Sequence, residues 1–266
     1  MIFVVAPHPD DEAIGCVGTL LLHLAARDSV CVAIATDGRR SQVIADPVEM
    51  SAQRRREATE AARLMQIDRL EWIGLPEGQW NVSSLQEALI GLLAQADPDI
   101  IYAPSRIDFH PEHWKVAHAL ALALGDPRTL RLRDRRVRAY QVQVPLTPFV
   151  SNVVADISAF VPLCERVLRA YASQSGTIAG TCRQRRYSAR LHRITGQAEE
   201  FWEMSVDRYV ALHRSSPADW PRAFRGVRGF PLTDPLAYLV GLRERQKLKA
   251  LQCAATNHAG SVAARL

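Results

Sequence analysis

The chain of 266 residues has little cysteine, few aromatic residues and no long apolar run. Its five cysteines (Cys16, Cys31, Cys164, Cys182 and Cys253) are odd in number, widely spaced and free of any Cys-x-x-Cys. That excludes a disulfide framework and a thiolate zinc site, and it points to a reducing compartment. Aromatic residues make up 7%. None interleaves with the densest basic run, Arg128 to Arg138, so no stacking platform for bases is offered. The run reads as a solvated loop leading into a strand, and no nucleic-acid partner is expected despite the net charge of +5. The opening Met1-Ile-Phe-Val-Val-Ala6 lacks a basic leader and is far too short to span a bilayer. The apolar stretch 13–26 is interrupted by Gly15, Gly18 and His23. A cytoplasmic protein with no stable membrane insertion is expected. No G-x-S-x-G elbow, P-loop or G-x-G-x-x-G follows a strand, so serine-hydrolase, phosphate-loop and NAD-binding frameworks are excluded.

What is present is an alternation of strands and helices. Ile2–Ala6 is a continuous apolar run rich in β-branched residues, as in a strand buried on both faces. A helix over 11–26 follows, then a strand over Val30–Thr36 and an Asp37-Gly38 turn. Helices are expected over 51–66, 83–96 (capped by Ser83) and 111–124, with strands over 70–73 and 100–103. That rhythm predicts βαβ units and an α/β fold, a Rossmann-like, doubly wound, mainly parallel sheet. After Arg138 the pattern changes. Strands over 140–144, 153–157 and 207–213 and a helix over 159–173 predict a smaller C-terminal α+β appendage. The expected organisation is one domain over 1–213, with its parallel core at about 1–125 and a subregion at about 137–213. The Pro- and Arg-rich extension 214–266, with a helix over 235–251, is expected to serve as a lid or as a homo-oligomer contact.

The decisive segment is His8-Pro9-Asp10-Asp11-Glu12, at the carboxyl end of the first strand, where open α/β sheets keep their ligands. Taken alone, the acidic triplet could simply cap a helix N-terminus. A second cluster, Asp108-Phe-His110-Pro-Glu112-His113, lies just beyond the fourth strand on the same sheet edge. Together the two turns supply two histidines and a carboxylate for a zinc ion, with a position left open for water. His8 and Asp11, three residues apart, fall on one side of a turn into a helix and can share one ion. Water on such a metal becomes a usable nucleophile, and an amide carbonyl becomes polarised. Asp10, spare and adjacent, is placed as general base, and His110 to steady the oxyanion or protonate the leaving amine. Asp108 or Glu112 would orient His110 and raise its pKa. Trp80 is the tryptophan best placed to stack on a sugar ring. His23, His118, His192, His213 and His258 lack a companion motif and are assigned no role.

These motifs resemble the LmbE-like, or PIG-L, N-acetylglucosaminyl deacetylases. The family's H-P-D-D-E turn is matched by His8 to Glu12, and its D-x-H-P-D-H by Asp108 to His113 with one substitution. Its R-x-x-E is matched by Arg54-Arg-Arg-Glu57, its G-x-P-D-G by Gly74-Leu75-Pro76-Glu77-Gly78, and Thr36-Asp37-Gly38 fits as well. Val154-Ala-Asp156-Ile-Ser158 resembles its V-D-I-S, Tyr171-Ala172-Ser173-Gln174 its H-x-S-Q, and Ala198-Glu199-Glu200-Phe201 its A-E-x-F. The resemblance implies Zn2+ held by His8, Asp11 and His113, Asp10 as base, and His110 as oxyanion stabiliser or acid. It further implies Arg54 as a contact for substrate hydroxyls or phosphate, and Glu77 in the sugar-recognition turn. The implied activity is removal of an N-acyl group, acetyl foremost, from an amino sugar or glycoconjugate. The alternatives are a zinc amidase acting on a thiol conjugate or glycosylated natural product, and a non-enzymatic binding protein using the basic surface. Glu112, Glu77, Tyr171 and Met65-Gln66-Ile67 depart from the family pattern. None of them is a metal ligand in that scheme, so substrate choice is where they bear.

Overall fold

The computed structural model describes residues 1–214 apart from 42, 107, 109, 144, 145 and 147–149. The extension 215–266, with the helix expected at 235–251, lies outside the described residues. The first half runs β1 (Ile2–Ala6), α1 (Asp11–Ala25), β2 (Val30–Thr36), α2 (Pro47–Met65), β3 (Arg69–Leu75), α3 (Val82–Ala96), β4 (Ile100–Pro104) and α4 (Pro111–Leu124). The second half adds β5 (Arg136–Tyr140), β6 (Val153–Asp156), α5 (Val161–Ala170), α6 (Ser175–Leu191), β7 (Ala198–Ser205) and α7 (Val206–Arg214). One seven-stranded sheet has the order β3-β2-β1-β4-β5-β7-β6. The first five strands are parallel, while β7 pairs antiparallel with β5 and β6. The expected α/β fold with a mainly parallel sheet is what the chain adopts, and the strands expected in a smaller α+β appendage join the edge of that same sheet.

Every residue of β1 and β2 is buried, because helices cover both faces. Alternation along β1 divides it between two cores. Phe3 and Val5 pack with α3, α4 and α7, whereas Ile2, Val4 and Ala6 pack with α1, α2 and α5. Helix starts follow local capping chemistry. The Asp46 carboxylate accepts from the Val48 and Glu49 N–H groups with Pro47 in the first turn, so α2 begins earlier than expected. Asn81, not Ser83, caps α3.

The strand expected over 207–213 is instead helix α7, and the strand lies just before it as β7. Val206, Tyr209 and Leu212 recur at helical spacing and all three are buried in the core. The 140–144 strand also shifts, to Arg136–Tyr140. The basic run is laced with carboxylates: Arg128 with Asp126 and Glu87, Arg131 with Asp97, Arg135 with Asp99, and Arg136 and Arg138 with Glu203.

Helix α1 is interrupted at Cys16 (φ −152°, ψ 15°), which frees backbone groups that a buried ion pair then satisfies. Glu199 of β7 accepts from the Gly18 and Thr19 N–H groups at 3.0 and 2.8 Å. Arg185 of α6 donates to the Ala13 and Ile14 carbonyls and meets Glu199 at 2.7 Å. Arg185 is 1% exposed, so Arg185→Met strands a buried carboxylate. Urea unfolding of that variant is expected to show a loss of about 3–5 kcal/mol. A loss below about 1 kcal/mol would show that the pair is not what braces the kink.

Candidate active site

The chain leaves β1 toward β2 and leaves β4 toward β5, so a crevice opens between the carboxyl ends of these two neighbouring strands. The turn from β1 into α1 delivers His8, Asp10 and Asp11, and the loop from β4 into α4 delivers Asp108, His110 and His113. The ends of β2 and β3 add Gly38, Arg40, Ser41 and Glu77, and α2 adds Arg54. All of these but Asp108, with Gln143 and Gln174, line a cleft of about 220 Å³. Gly38 has φ +67°, and a Cβ there would lie 2.8 Å from Arg54 Nε, so the Asp37-Gly38 turn lets the guanidinium pack against backbone.

His8, Asp11 and His113 converge. Asp11 Oδ2 lies 3.1 Å from His8 Nδ1 and 3.3 Å from His113 Nε2. Donors of one tetrahedral zinc, at bonds of ~2.0–2.1 Å, stand roughly 3.3 Å apart, so the separations suit a shared ion. His8 Nε2 is buried without a hydrogen-bond partner and stands 3.5 Å from Glu77 Oε1. The donor atoms of His8, His110 and His113 also lie within 4.8 Å of one another, a second set able to hold a metal ion.

The carboxylates set the histidines' charge. Burial works against a charged His8, yet the carboxylates of Asp11 and Glu77 beside it raise it to about 9. Burial likewise opposes charge on His113, but Asp11 and Asp108 hold it well above its ordinary value. Burial pushes Asp11 up, and the facing His113 and His8 outweigh it and hold the carboxyl low. Burial raises Asp10 to about 6, with Arg54 opposing.

Asp108 does not orient the His110 ring. Its Oδ2 meets His113 Nδ1 at 3.1 Å and accepts the Gln143 N–H at 3.2 Å, and its Oδ1 accepts the His110 backbone N–H at 2.9 Å. Glu112 contributes through its backbone, whose N–H donates to His110 Nδ1 at 3.3 Å. The expected rise in the His110 pKa is reversed. Burial, then the charged His113 and His8, lower it to about 4. The neutral ring therefore carries its proton on Nε2.

Trp80 is corrected as well. It is buried in the core with α3 and α4 and is absent from the cleft lining. Its indole N–H donates to the Glu112 carboxylate, and Lys115 Nζ sits 3.8 Å from its ring centroid. It props the start of α4 instead of meeting substrate. The Glu112 carboxylate, expected beside His110, is taken up by that indole.

Asp10 has φ 134°, a conformation L-residues rarely adopt. Its carboxylate is not spare: Arg54 Nη2 donates to Oδ1 at 3.0 Å. Arg54 lines the cleft, and its Nε and Nη1 are buried without hydrogen-bond partners. Glu77 Oε2 accepts the Arg40 N–H at 2.9 Å. Sequence reasoning missed Arg40, Ser41, Gln143 and Gln174 as cleft residues, and it missed the pairing of Glu12 with Tyr171. Only Tyr171 carried a signal, as a departure from the family pattern. His23 bridges Asp28 and Tyr102, and His118 and His213 line a separate cavity.

The chain is similar to known proteins in sequence and fold. The PIG-L family model, described as GlcNAc-PI de-N-acetylase, matches residues 3–124. The probable N-acetyl-alpha-D-glucosaminyl L-malate deacetylase 2 of Bacillus subtilis (strain 168) is 25% identical over 190 residues, covering 65% of this chain and 83% of that protein. A conserved protein of Thermus thermophilus matches with TM-score 0.64 and 27% identity over 75% of this chain and 92% of its own. The N,N'-diacetylchitobiose deacetylase of Pyrococcus horikoshii matches with TM-score 0.67 and 20% identity over 78% and 85%, a likeness of fold. No helix among the described residues is long and apolar enough to cross a membrane.

Proposed function

We propose that this chain, whose residues 3–124 are a PIG-L family domain, is a zinc-dependent hydrolase that removes an N-acyl group, acetyl foremost, from an amino sugar or glycoconjugate. The observation that carries the reading is Asp11 Oδ2 standing 3.1 and 3.3 Å from two imidazole nitrogens at the crevice between β1 and β4. His8, Asp11 and His113 would hold the ion. Asp108, on the far nitrogen of His113, fixes the tautomer that aims Nε2 at the site. A zinc bound there supplies Lewis acidity toward the amide carbonyl and a water acidified toward neutrality.

The chain's own groups do the rest. Asp10, ionised at neutral pH, accepts a proton from the attacking water as its oxygen bonds to the acyl carbon. His110, neutral, offers Nε2–H to the oxygen that gains charge, as a helix N-terminus favours. When the carbon–nitrogen bond breaks, the proton held by Asp10 passes to the departing nitrogen, leaving a free amine and a carboxylic acid that releases its own proton at neutral pH. The two unpartnered nitrogens of Arg54 are donors for substrate hydroxyls or an anionic group, and Glu77 for hydroxyls from the acceptor side. The malate conjugate in the relative's name and these unpaired donors both favour a substrate bearing an acidic group beside the sugar.

We assign 1–213 to one catalytic unit and 214–266 to a lid or homo-oligomer contact. A reducing, cytoplasmic setting is part of this proposal, in keeping with the odd number and wide spacing of the cysteines. The experiment is a panel of N-acetylated amino sugars, with and without an acidic aglycone, assayed for free amine with zinc-loaded protein. Amine release, strongest from the acidic members, is expected. Protein that holds zinc and releases amine from none would sink the substrate class, and protein that never takes up metal would sink the hydrolase.

A further inference from the structure

Two of the contacts that hold Asp10 lead back to one short segment. Its backbone N–H donates to Glu12 Oε2 at 3.3 Å, and its carboxylate accepts Arg54 Nη2 at 3.0 Å. Glu12 Oε1 in turn accepts the hydroxyl of Tyr171. One turn along α2 from Arg54, Glu57 accepts the backbone N–H and the hydroxyl of Ser173 at 3.0 and 2.6 Å. Gln174 Nε2 donates to Ser41 Oγ at 2.9 Å on the cleft rim. Tyr171, Ser173 and Gln174, just after α5, thus brace the first turn of α1, the helix that carries Arg54, and the loop after β2.

We infer that the segment 171–174 is a positioning device for Asp10, with Tyr171 its principal residue. The inference rests on the hydrolase reading above. A backbone at φ 134° persists only where its surroundings over-determine it, and the Glu12 carboxylate is what holds the Asp10 N–H. Glu12 and Tyr171 are 2% and 1% exposed. Neither lines the cleft, so neither meets substrate and both act through Asp10. A carboxylate buried this deeply needs a donor to stay in one rotamer, and the tyrosine hydroxyl provides it. The phenol projects its donor far from the backbone, and here it spans from the end of α5 to the start of α1.

The test uses the metal-loaded full chain. Tyr171→Phe removes only the hydroxyl, and it is expected to lower kcat about tenfold with KM changed by less than about twofold and metal content unchanged. Glu12→Gln should lower kcat similarly. The double variant should be no worse than the worse single, because the two residues form one chain of support. Tyr140→Phe is the control: its hydroxyl donates to the Val5 carbonyl at 2.8 Å and does not touch Glu12, so it should cost stability but not kcat. Backbone amide exchange at residues 8–12 should quicken in Tyr171→Phe and not in Tyr140→Phe, a readout independent of turnover. Wild-type kcat in Tyr171→Phe, multiplying losses in the double variant, or equal loss in Tyr140→Phe would each overturn the inference. An inactive wild type with the same exchange pattern would instead count against the hydrolase reading alone.

Discussion

Replacing Asp10 with Asn is expected to leave the metal in place and to lower turnover about 10³-fold. General-base assistance is worth roughly 10²–10⁴, and the site gives reason to place Asp10 within that range. Burial raises its carboxyl to about 6 while Arg54 pulls it back, so at neutral pH it is ionised yet basic enough to take a proton from water. Asparagine has the same shape, tolerates positive φ better than most residues, and its carbonyl can still accept Arg54 Nη2. What it cannot do is accept and return the proton. Asp10→Ala would be a poorer probe, because it strands a buried guanidinium whose ion-pair partner is Asp10. That kind of loss costs about 3–5 kcal/mol and would mix unfolding with catalysis. Turnover by amine release and metal per chain by elemental analysis check the Asn variant together. Turnover within about tenfold of wild type, with metal retained, would remove Asp10 from the role of base.

Much of this could be read from the chain because the relevant physics is local. A strand covered on both faces must be apolar throughout, so Ile2–Ala6 and Val30–Thr36 announce themselves. The helices between them require parallel pairing, and the carboxyl ends of β1 and β4 then place His8-Pro-Asp-Asp and His110-x-x-His on one crevice. Asp37-Gly38 marks its own turn, since only glycine takes φ +67° there without cost. What was not legible depends on partners far apart in sequence. The Arg185–Glu199 pair closes a helix break whose carbonyls lie 172 and 171 positions away from Arg185. Nothing local tells an arginine in α6 from a surface one. Trp80 sat beside a presumed sugar turn, yet Glu112, 32 residues on, captured its indole N–H and drew it into the core. The segment 207–213 has an apolar spacing too short to separate strand from helix. It becomes a helix because β7 already occupies the sheet position and α4 offers a core for Tyr209 and Leu212. Asp108 could be foreseen beside a histidine but not beside which one, because that depends on how the loop after β4 folds back onto α4.

Two histidine substitutions test which residues hold the ion, and the two donor sets predict opposite results. In the proposed set, His113→Ala removes a ligand. Metal affinity should fall by more than about 100-fold, beyond the 10–100-fold loss that follows from removing a partner behind a ligand, and turnover should disappear with it. His110→Ala should keep one ion per chain and lose about 10²–10³-fold in turnover, the scale of a missing oxyanion donor. The geometry favours this outcome. Asp11 Oδ2 stands 3.1 and 3.3 Å from His8 and His113, at the spacing of neighbouring ligands, and Asp108 fixes His113 from behind. His110 instead has Nδ1 occupied as an acceptor by the Glu112 N–H, which puts a proton, and not a lone pair, on the nitrogen left over. The three imidazoles bring their donor atoms within 4.8 Å of one another, and the rings of His110 and His113 stack with centroids 4.6 Å apart. If His110→Ala empties the site and Asp11→Asn leaves it filled, the ion belongs to the three histidines. Asp11 would then pass from ligand to the residue that tunes them, and the proposed division of labour would have to be redrawn around it.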